Sequence, residues 1–351
     1  MVMKNNNFLV PLVFSLFTLN SQADTLSILN WEEYLSESVI QMWQEETGHI
    51  VEQVIFDNDE KRDAILMKPD HHRIDIAIVD ETVAERFGES GLLVELSEDR
   101  IPSISNTGKF WRNRCGNYAV PYFWGTLGIV YRSDKVTQPP SSWKDLLEPE
   151  TNMKGHVGML DDYTDMLAPA LFLMGKNLNS EDKAELSQAF EILKRQTNDV
   201  LTYEYAISYL HTGSRREDLY MALAYGGDQY TMNNIAESED LWKYTIPKEG
   251  TVLWVDCLAI PKTSKNTELA LDFIEFLNRP EVAAINAEDV YVASPNETAL
   301  KITSEAYKND PEVFPSKDIL NKSALYKPLS NDNVETRLRI TNAILNIHES
   351  Q

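Results

Sequence analysis

The run Gly250-Thr251-Val252-Leu253-Trp254-Val255-Asp256-Cys257-Leu258-Ala259-Ile260-Pro261 sets an indole and a carboxylate two residues apart in an otherwise apolar strand pattern. Strand alternation places Trp254 and Asp256 on one face. An indole face attracts a cation and a carboxylate neutralises it, so the pair suits an organic ammonium better than an anion or a sugar. Taken alone, the stretch also reads as a core Trp beside a strand-end Asp.

Four further clusters follow expected strands. Asn30-Trp31-Glu32-Glu33-Tyr34 lies between the first strand and the first helix, the crevice position where open α/β sheets bind ligands. Asp161-Asp162-Tyr163-Thr164-Asp165 leads into an apolar helical run, so Asp162 and Asp165 can act as helix caps or as ligand acids. Asp80-Glu81-Thr82 and Tyr225-Gly226-Gly227-Asp228 occupy comparable places. An aromatic, a carboxylate or both at five strand ends exceeds what core packing requires. Paired acids also suit glycoside hydrolysis, but their separation is not legible in the sequence, and an enzyme is not the expectation.

Other chemistries leave little trace. There is no Gly-rich phosphate loop, Gly-x-Ser-x-Gly elbow or HExxH helix, so no cofactor and no catalytic residue is assigned. His71-His72 with Asp75 reads as a solvated loop in preference to a metal cluster, and Asp57-Asn58-Asp59 lacks the Gly and Glu of a calcium loop. No metal site is expected.

The elements that must position these clusters alternate between strand and helix. Strands are expected at Leu26 to Leu29, Ile50 to Phe56 and Ile74 to Val79, with helices from Glu37 to Gly48 and over Lys61 to Met67. That is an α/β pattern with a mostly parallel sheet. Tyr118 to Arg132 is β-rich but contains Pro121 and Gly125, which a central strand tolerates poorly, so it is read as a strand passing from one lobe to another. A second unit follows: a strand at His156 to Leu160, an amphipathic helix at Lys183 to Gln196 and a strand at Tyr220 to Tyr225. Leu253 to Ile260 returns the chain, Asn266 caps a helix reaching Leu277, and the chain beyond 298 reads as polar helix.

The 351 residues fit about two domains. A net charge of −23, from 32 Lys+Arg against 55 Asp+Glu, speaks against nucleic acid or anionic lipid as partner and is compatible with cationic ligands. Residues 1–23 read as a secretory signal, with Lys4, the apolar stretch Phe8 to Leu19, and small residues at Ser21-Gln22-Ala23. The expected location is the periplasm. In that oxidising compartment Cys115 and Cys257 can form a disulfide, the alternative being two buried thiols.

These residues match a known pattern. Asn30-Trp31 with Glu33-Tyr34, Pro121-Tyr122 with Trp124-Gly125, Asp161-Asp162, and Trp254 with Asp256 before Leu258-Ala259-Ile260-Pro261 make the chain resemble the periplasmic spermidine/putrescine-binding proteins over essentially its mature length. The resemblance implies a two-lobed periplasmic binding protein fold (type II), each lobe a mostly parallel sheet flanked by helices, joined by two crossing strands. The expected lobes are 24–127 with 258–297 and 128–257 with 298–351, the ligand lying between them. It further implies an aromatic box of Trp31, Tyr34, Tyr225, Trp254 and Tyr291, and ammonium partners Glu33, Asp162, Asp165 and Asp256.

Two positions depart from that family. Asp80 stands where a hydroxyl residue is common, and Thr82 where a Tyr is common. An added acid calls for an added ammonium, so a triamine such as spermidine or norspermidine is expected over a diamine. The first reading is a monomeric receptor that presents the polyamine to an ABC permease. The alternative resembles the norspermidine sensor of vibrios, which regulates a membrane cyclic-di-GMP enzyme controlling biofilm.

Overall fold

The computed structural model describes residues 23–68 and 73–351. Residues 1–22 of the expected signal segment and the His71-His72 pair lie outside the described residues.

The first lobe opens with β1 (Thr25–Trp31), α1 (Glu37–Thr47), β2 (Ile50–Phe56), α2 (Asp59–Leu66), β3 (Ile76–Asp80) and α3 (Glu81–Glu89). From there α4 (Lys109–Cys115) leads into the long β4 (Ala119–Arg132). Helix starts follow the sequence chemistry: Ser36 accepts from the Val39 N–H, Asn58 from Lys61, and Asp80 from Thr82 and Val83. Gly48, in the left-handed region at φ 75°, ends α1, which buries Val39, Ile40 and Trp43.

The second lobe holds α5 (Trp143–Leu147), β5 (Val157–Gly158), α6 (Ala168–Leu173), α7 (Lys183–Gln196), β6 (Val200–Thr202), α8 (Ala206–Thr212), β7 (Met221–Tyr225), α9 (Asp228–Ile235) and β8 (Trp242–Thr245). The return strand β9 (Val252–Ala259) precedes α10 (Thr267–Leu277), α11 (Pro280–Val290), α12 (Glu305–Lys308), α13 (Lys317–Leu320), β10 (Ala324–Leu325) and α14 (Asn331–Glu349). Asn266 stands before α10 but does not cap it. Its amide reaches Thr25 and Asp75 instead.

Strands run in the order β2-β1-β3-β9-β4-β7-β5-β6, with β10 on β9 and β8 on β4. β1 is parallel to β2 and β3, β5 is parallel to β6 and β7, and the central pair β4 and β9 is antiparallel. That pair serves both lobes. Tyr122, Phe123 and Trp124 sit in the first core and Leu127 and Ile129 in the second, while β9 passes from Val252 in the second to Val255 in the first. β4 is the expected crossing strand, and its register shifts between Pro121 and Phe123.

Three expected boundaries move. Leu127 packs in the second core, so β4 crosses before residue 128. Val255 and Cys257 already pack in the first core, so β9 crosses before residue 258. The chain after 298 divides: Tyr307 and Val313 join the first core, Ile344 the second. The polar pattern there concealed which core its few apolar residues serve. Cys115 and Cys257 are disulfide-bonded, their Cα atoms 5.9 Å apart, tying α4 to β9. Among the described residues no helix is long and apolar enough to cross a membrane.

Candidate functional site

Strand ends of both lobes converge on a cavity of about 370 Å³. Trp31, Tyr34, Tyr225 and Trp254 border it, as the resemblance implied, and so do Glu33, Asp165 and Asp256. Trp31 packs against Phe56 with ring centroids 4.3 Å apart and faces Tyr205 and Tyr225 at 6.0 and 6.4 Å. Trp254 meets Tyr225 edge-on at 5.9 Å. Its indole lies over the β4 backbone at Gly125, where an added Cβ would fall 2.4 Å from the ring. Gly125 is therefore part of the site's geometry.

Three acids bordering the cavity share one arrangement. The Tyr34 hydroxyl donates to Asp256 Oδ2 at 2.9 Å, and the Tyr205 hydroxyl to Asp228 Oδ1 at 2.7 Å. Tyr225 donates to Asp165 Oδ2 at 2.7 Å, and Tyr326 donates to the other oxygen of Asp165. Among the described residues no Lys, Arg or His forms an ion pair with any of the three. Burial is the main cause that pushes each carboxyl up to about 7. Asp162 adds to it at Asp165 and Asp80 at Asp256, while the tyrosine hydroxyls pull downward. A positive ligand would relieve that desolvation, and the rings can hold its methylenes.

Asp80 and Thr82 also border the cavity, but Asp80 has a partner of its own. Its Oδ2 accepts from Arg62 at 3.0 Å, and its Oδ1 accepts from the N–H groups of Thr82 and Val83 and from the Thr82 hydroxyl. Burial alone would raise the Asp80 carboxyl. Arg62, the Thr82 hydroxyl and the Val83 N–H outweigh it and hold the group below the usual range. The expectation that Asp80 calls for an extra ligand ammonium is thus corrected, because a buried guanidinium already answers it.

Asp162 and Tyr291 are not among the residues bordering the cavity. Asp162 Oδ1 accepts from the N–H groups of Thr164 and Asp165 and from the Thr164 hydroxyl, holding the turn that presents Asp165. This is the capping alternative. Tyr291 ends α11 in the left-handed region at φ 61° and sends its ring onto Tyr230, with centroids 3.9 Å apart, while its neighbours Val290 and Val292 face the cavity.

The lobes also touch directly. The Ser208 hydroxyl on α8 donates to Glu32 Oε2 at 2.9 Å, and Asn58 donates through Nδ2 to Asp161 Oδ2 at 2.9 Å. Glu33, next to Glu32, takes a left-handed φ of 58°, a strained conformation for a non-glycine residue.

Sequence reasoning missed Glu32, Asp59, Tyr205, Asp228 and Tyr326, all of which border the cavity. Asp228 was within reach, because it closes the Tyr225-Gly226-Gly227-Asp228 cluster. Tyr205 and Tyr326 stand in stretches with no strand-end signal.

A family model for bacterial extracellular solute-binding proteins matches residues 39–315. The chain is similar to the norspermidine sensor of Vibrio cholerae, at 32% identity over 344 residues, 98% of this chain and 95% of the relative. A putrescine-binding periplasmic protein of Pseudomonas aeruginosa is 30% identical, with 85% of each chain covered. Among solved structures, the spermidine/putrescine ABC transporter substrate-binding protein of Streptococcus pneumoniae superposes with a TM-score of 0.73 at 27% identity, covering 93% of this chain and 100% of that one.

Proposed function

The chain belongs to the bacterial extracellular solute-binding protein family, and from that premise we propose that it is a periplasmic receptor whose two lobes close on a linear polyamine, a triamine in preference to a diamine. The carrying observation is the set of three tyrosine-held carboxylates, Asp165, Asp228 and Asp256, that face the cavity without a basic partner among the described residues. A triamine neutralises all three, whereas a diamine leaves one buried acid uncompensated. Trp31, Tyr34, Tyr225 and Trp254 supply faces for the methylenes and cation–π attraction of ~0.5 to 2 kcal/mol per ammonium. Glycoside hydrolysis is disfavoured, since these acids spread around an aromatic box and do not form an isolated pair.

The test is a thermal-shift series with putrescine, cadaverine, spermidine, norspermidine and spermine. A ligand at 100 times its dissociation constant adds ~2.7 kcal/mol to stability, an easily read shift. No response to any of the five overturns the reading. Putrescine binding as tightly as the triamines overturns the preference.

Two kinds of partner can read the closed form: an ABC permease, or the periplasmic domain of a membrane cyclic-di-GMP enzyme. The similarity to the Vibrio cholerae norspermidine sensor spans 98% of this chain, against 85% for the putrescine-binding relative, and this favours sensing. Co-purification of a permease in place of a cyclic-di-GMP enzyme would reverse that choice.

A further inference from the structure

Asp59, the first residue of α2, borders the cavity and keeps 25% of its side chain exposed. Its Oδ1 takes Arg62 Nη1 at 2.7 Å. Arg62 is 1% exposed and also donates to Asp63 at 2.9 Å and Asp80 at 3.0 Å, so one guanidinium stands among three carboxylates. Arg86 adds a second cation to the group, on Asp63 Oδ2 at 2.7 Å. The cluster still presents a net negative charge to the cleft, and Asp59 is its member whose second carboxylate oxygen accepts from no donor among the described residues, since Asp63 Oδ2 takes Arg86 and Asp80 Oδ1 takes Thr82 and Val83.

The second lobe answers with acids of its own. Among the described residues Asp165 carries only hydroxyl donors on its carboxylate, and beside it Asp162, 5% exposed, has an enclosed Oδ2 that no donor reaches. Tyr225 holds Asp165 at this end of the cavity, and Asn58, the residue before Asp59, donates to Asp161, the residue before Asp162, at 2.9 Å from the other lobe. Burial first, and then Asp162 and Asp80 among the neighbouring charges, raise Asp59 well above the usual carboxylate range, while Arg62 pulls it down. Acids of the two lobes, Asp59 and Asp165, thus border one cavity whose walls meet at the Asn58–Asp161 contact. Such a pair repels when empty and attracts through an intervening cation, which supplies the differential affinity that ligand-driven closure requires.

We propose that Asp59 is a ligand-binding residue that shares one terminal ammonium of the polyamine with Asp165 of the opposite lobe, so that this end of the cleft closes as a clamp. The proposal rests on the polyamine reading and adds to it a contact from the first lobe.

Calorimetry with norspermidine and spermidine tests it on the wild type, Asp59→Asn, Asp59→Glu and Asp63→Asn. Asp63 holds Arg62 as Asp59 does but does not border the cavity, so it controls for mere support of the guanidinium. The expected result is a Kd raised at least tenfold in Asp59→Asn and changed less than threefold in Asp63→Asn. Asp59→Glu keeps the charge one methylene deeper and moves preference toward the shorter triamine, norspermidine, by at least threefold. Wild-type affinity in Asp59→Asn, or an equal loss in Asp63→Asn, overturns the assignment while leaving the polyamine reading intact. If Asp59→Asn fails to fold, an unchanged ranking of triamines in Asp59→Glu overturns it. A wild type that binds no polyamine removes the underlying reading, and this proposal with it.

Discussion

Ser208 and Glu32 belong to opposite lobes, and the serine hydroxyl donates to the glutamate Oε2 at 2.9 Å. The bond spans the cleft at the strained loop that also carries Trp31 and Tyr34, so it exists only when the lobes are together. Ser208→Ala removes it without touching the tyrosine-held carboxylates. Closure becomes less favourable by the same amount for every ligand, and apparent affinity falls in proportion to the closed population. All polyamines should therefore weaken about threefold to tenfold with their ranking preserved, as titration calorimetry would read. A changed ranking would show that Ser208 acts on the ligand itself.

The cavity acids make binding depend on pH. Asp165, Asp228 and Asp256 are each pushed up to about 7, mainly by burial. Unfolded, they titrate near 4. Between about pH 4 and 7 the folded chain holds more protons than the unfolded one, so ligand-free stability falls as pH rises through that window. A polyammonium ligand requires ionised acids, which reverses the sign for binding. Each participating acid strengthens binding roughly tenfold from pH 6 to pH 8. Dissociation constants for norspermidine at the two pH values decide the point, and a flat profile would sink it.

The site was partly legible in the sequence. Trp254 and Asp256 were readable because strand alternation is strict and β9 keeps it through the crossing. Trp31 and Tyr34 were readable because strand ends in α/β sheets face the crevice. Asp80 was misread because its partner, Arg62, sits 18 residues earlier on a helix whose pattern gives no sign of a buried cation. The placement of Tyr326 depends on the chain returning from the first core to the second near β10, a tertiary event that no local periodicity encodes. The fold class followed from alternating elements, whereas the lobe boundaries depended on which core a few apolar residues chose.

Gly125 sets the height of the aromatic wall. An alanine Cβ there would meet Trp254 Cζ2 at 2.4 Å and Cε2 at 2.8 Å, so the indole must move away from β4. Gly125→Ala should weaken the best polyamine by roughly twofold to thirtyfold, the loss of one good cation–π contact being worth ~0.5 to 2 kcal/mol before any clash with the ligand. Because the strain is confined to the cavity wall, the ligand-free protein should still unfold cooperatively. Unchanged affinity would mean that the indole does not face the ligand.

The Cys115–Cys257 bridge makes a prediction about stability and one about binding. It closes a separation of 142 residues and joins α4 to the strand position next to Asp256. Arg114, beside Cys115, donates to Glu81, and Glu81 in turn accepts from the Val255 N–H behind the same strand. In the chain-entropy model, opening a loop of that length costs about 5 kcal/mol through the unfolded state. The double substitution of both cysteines by alanine should therefore lower the denaturation midpoint strongly in urea. If the variant still folds, the Arg114–Glu81 contact and the pairing of β9 with β3 and β4 remain to hold Asp256, so polyamine affinity should change less than threefold. A large affinity loss at intact fold would instead mean that the bridge itself fixes the position of Asp256. An unchanged midpoint would mean that the unfolded chain gains little freedom when the bridge is absent.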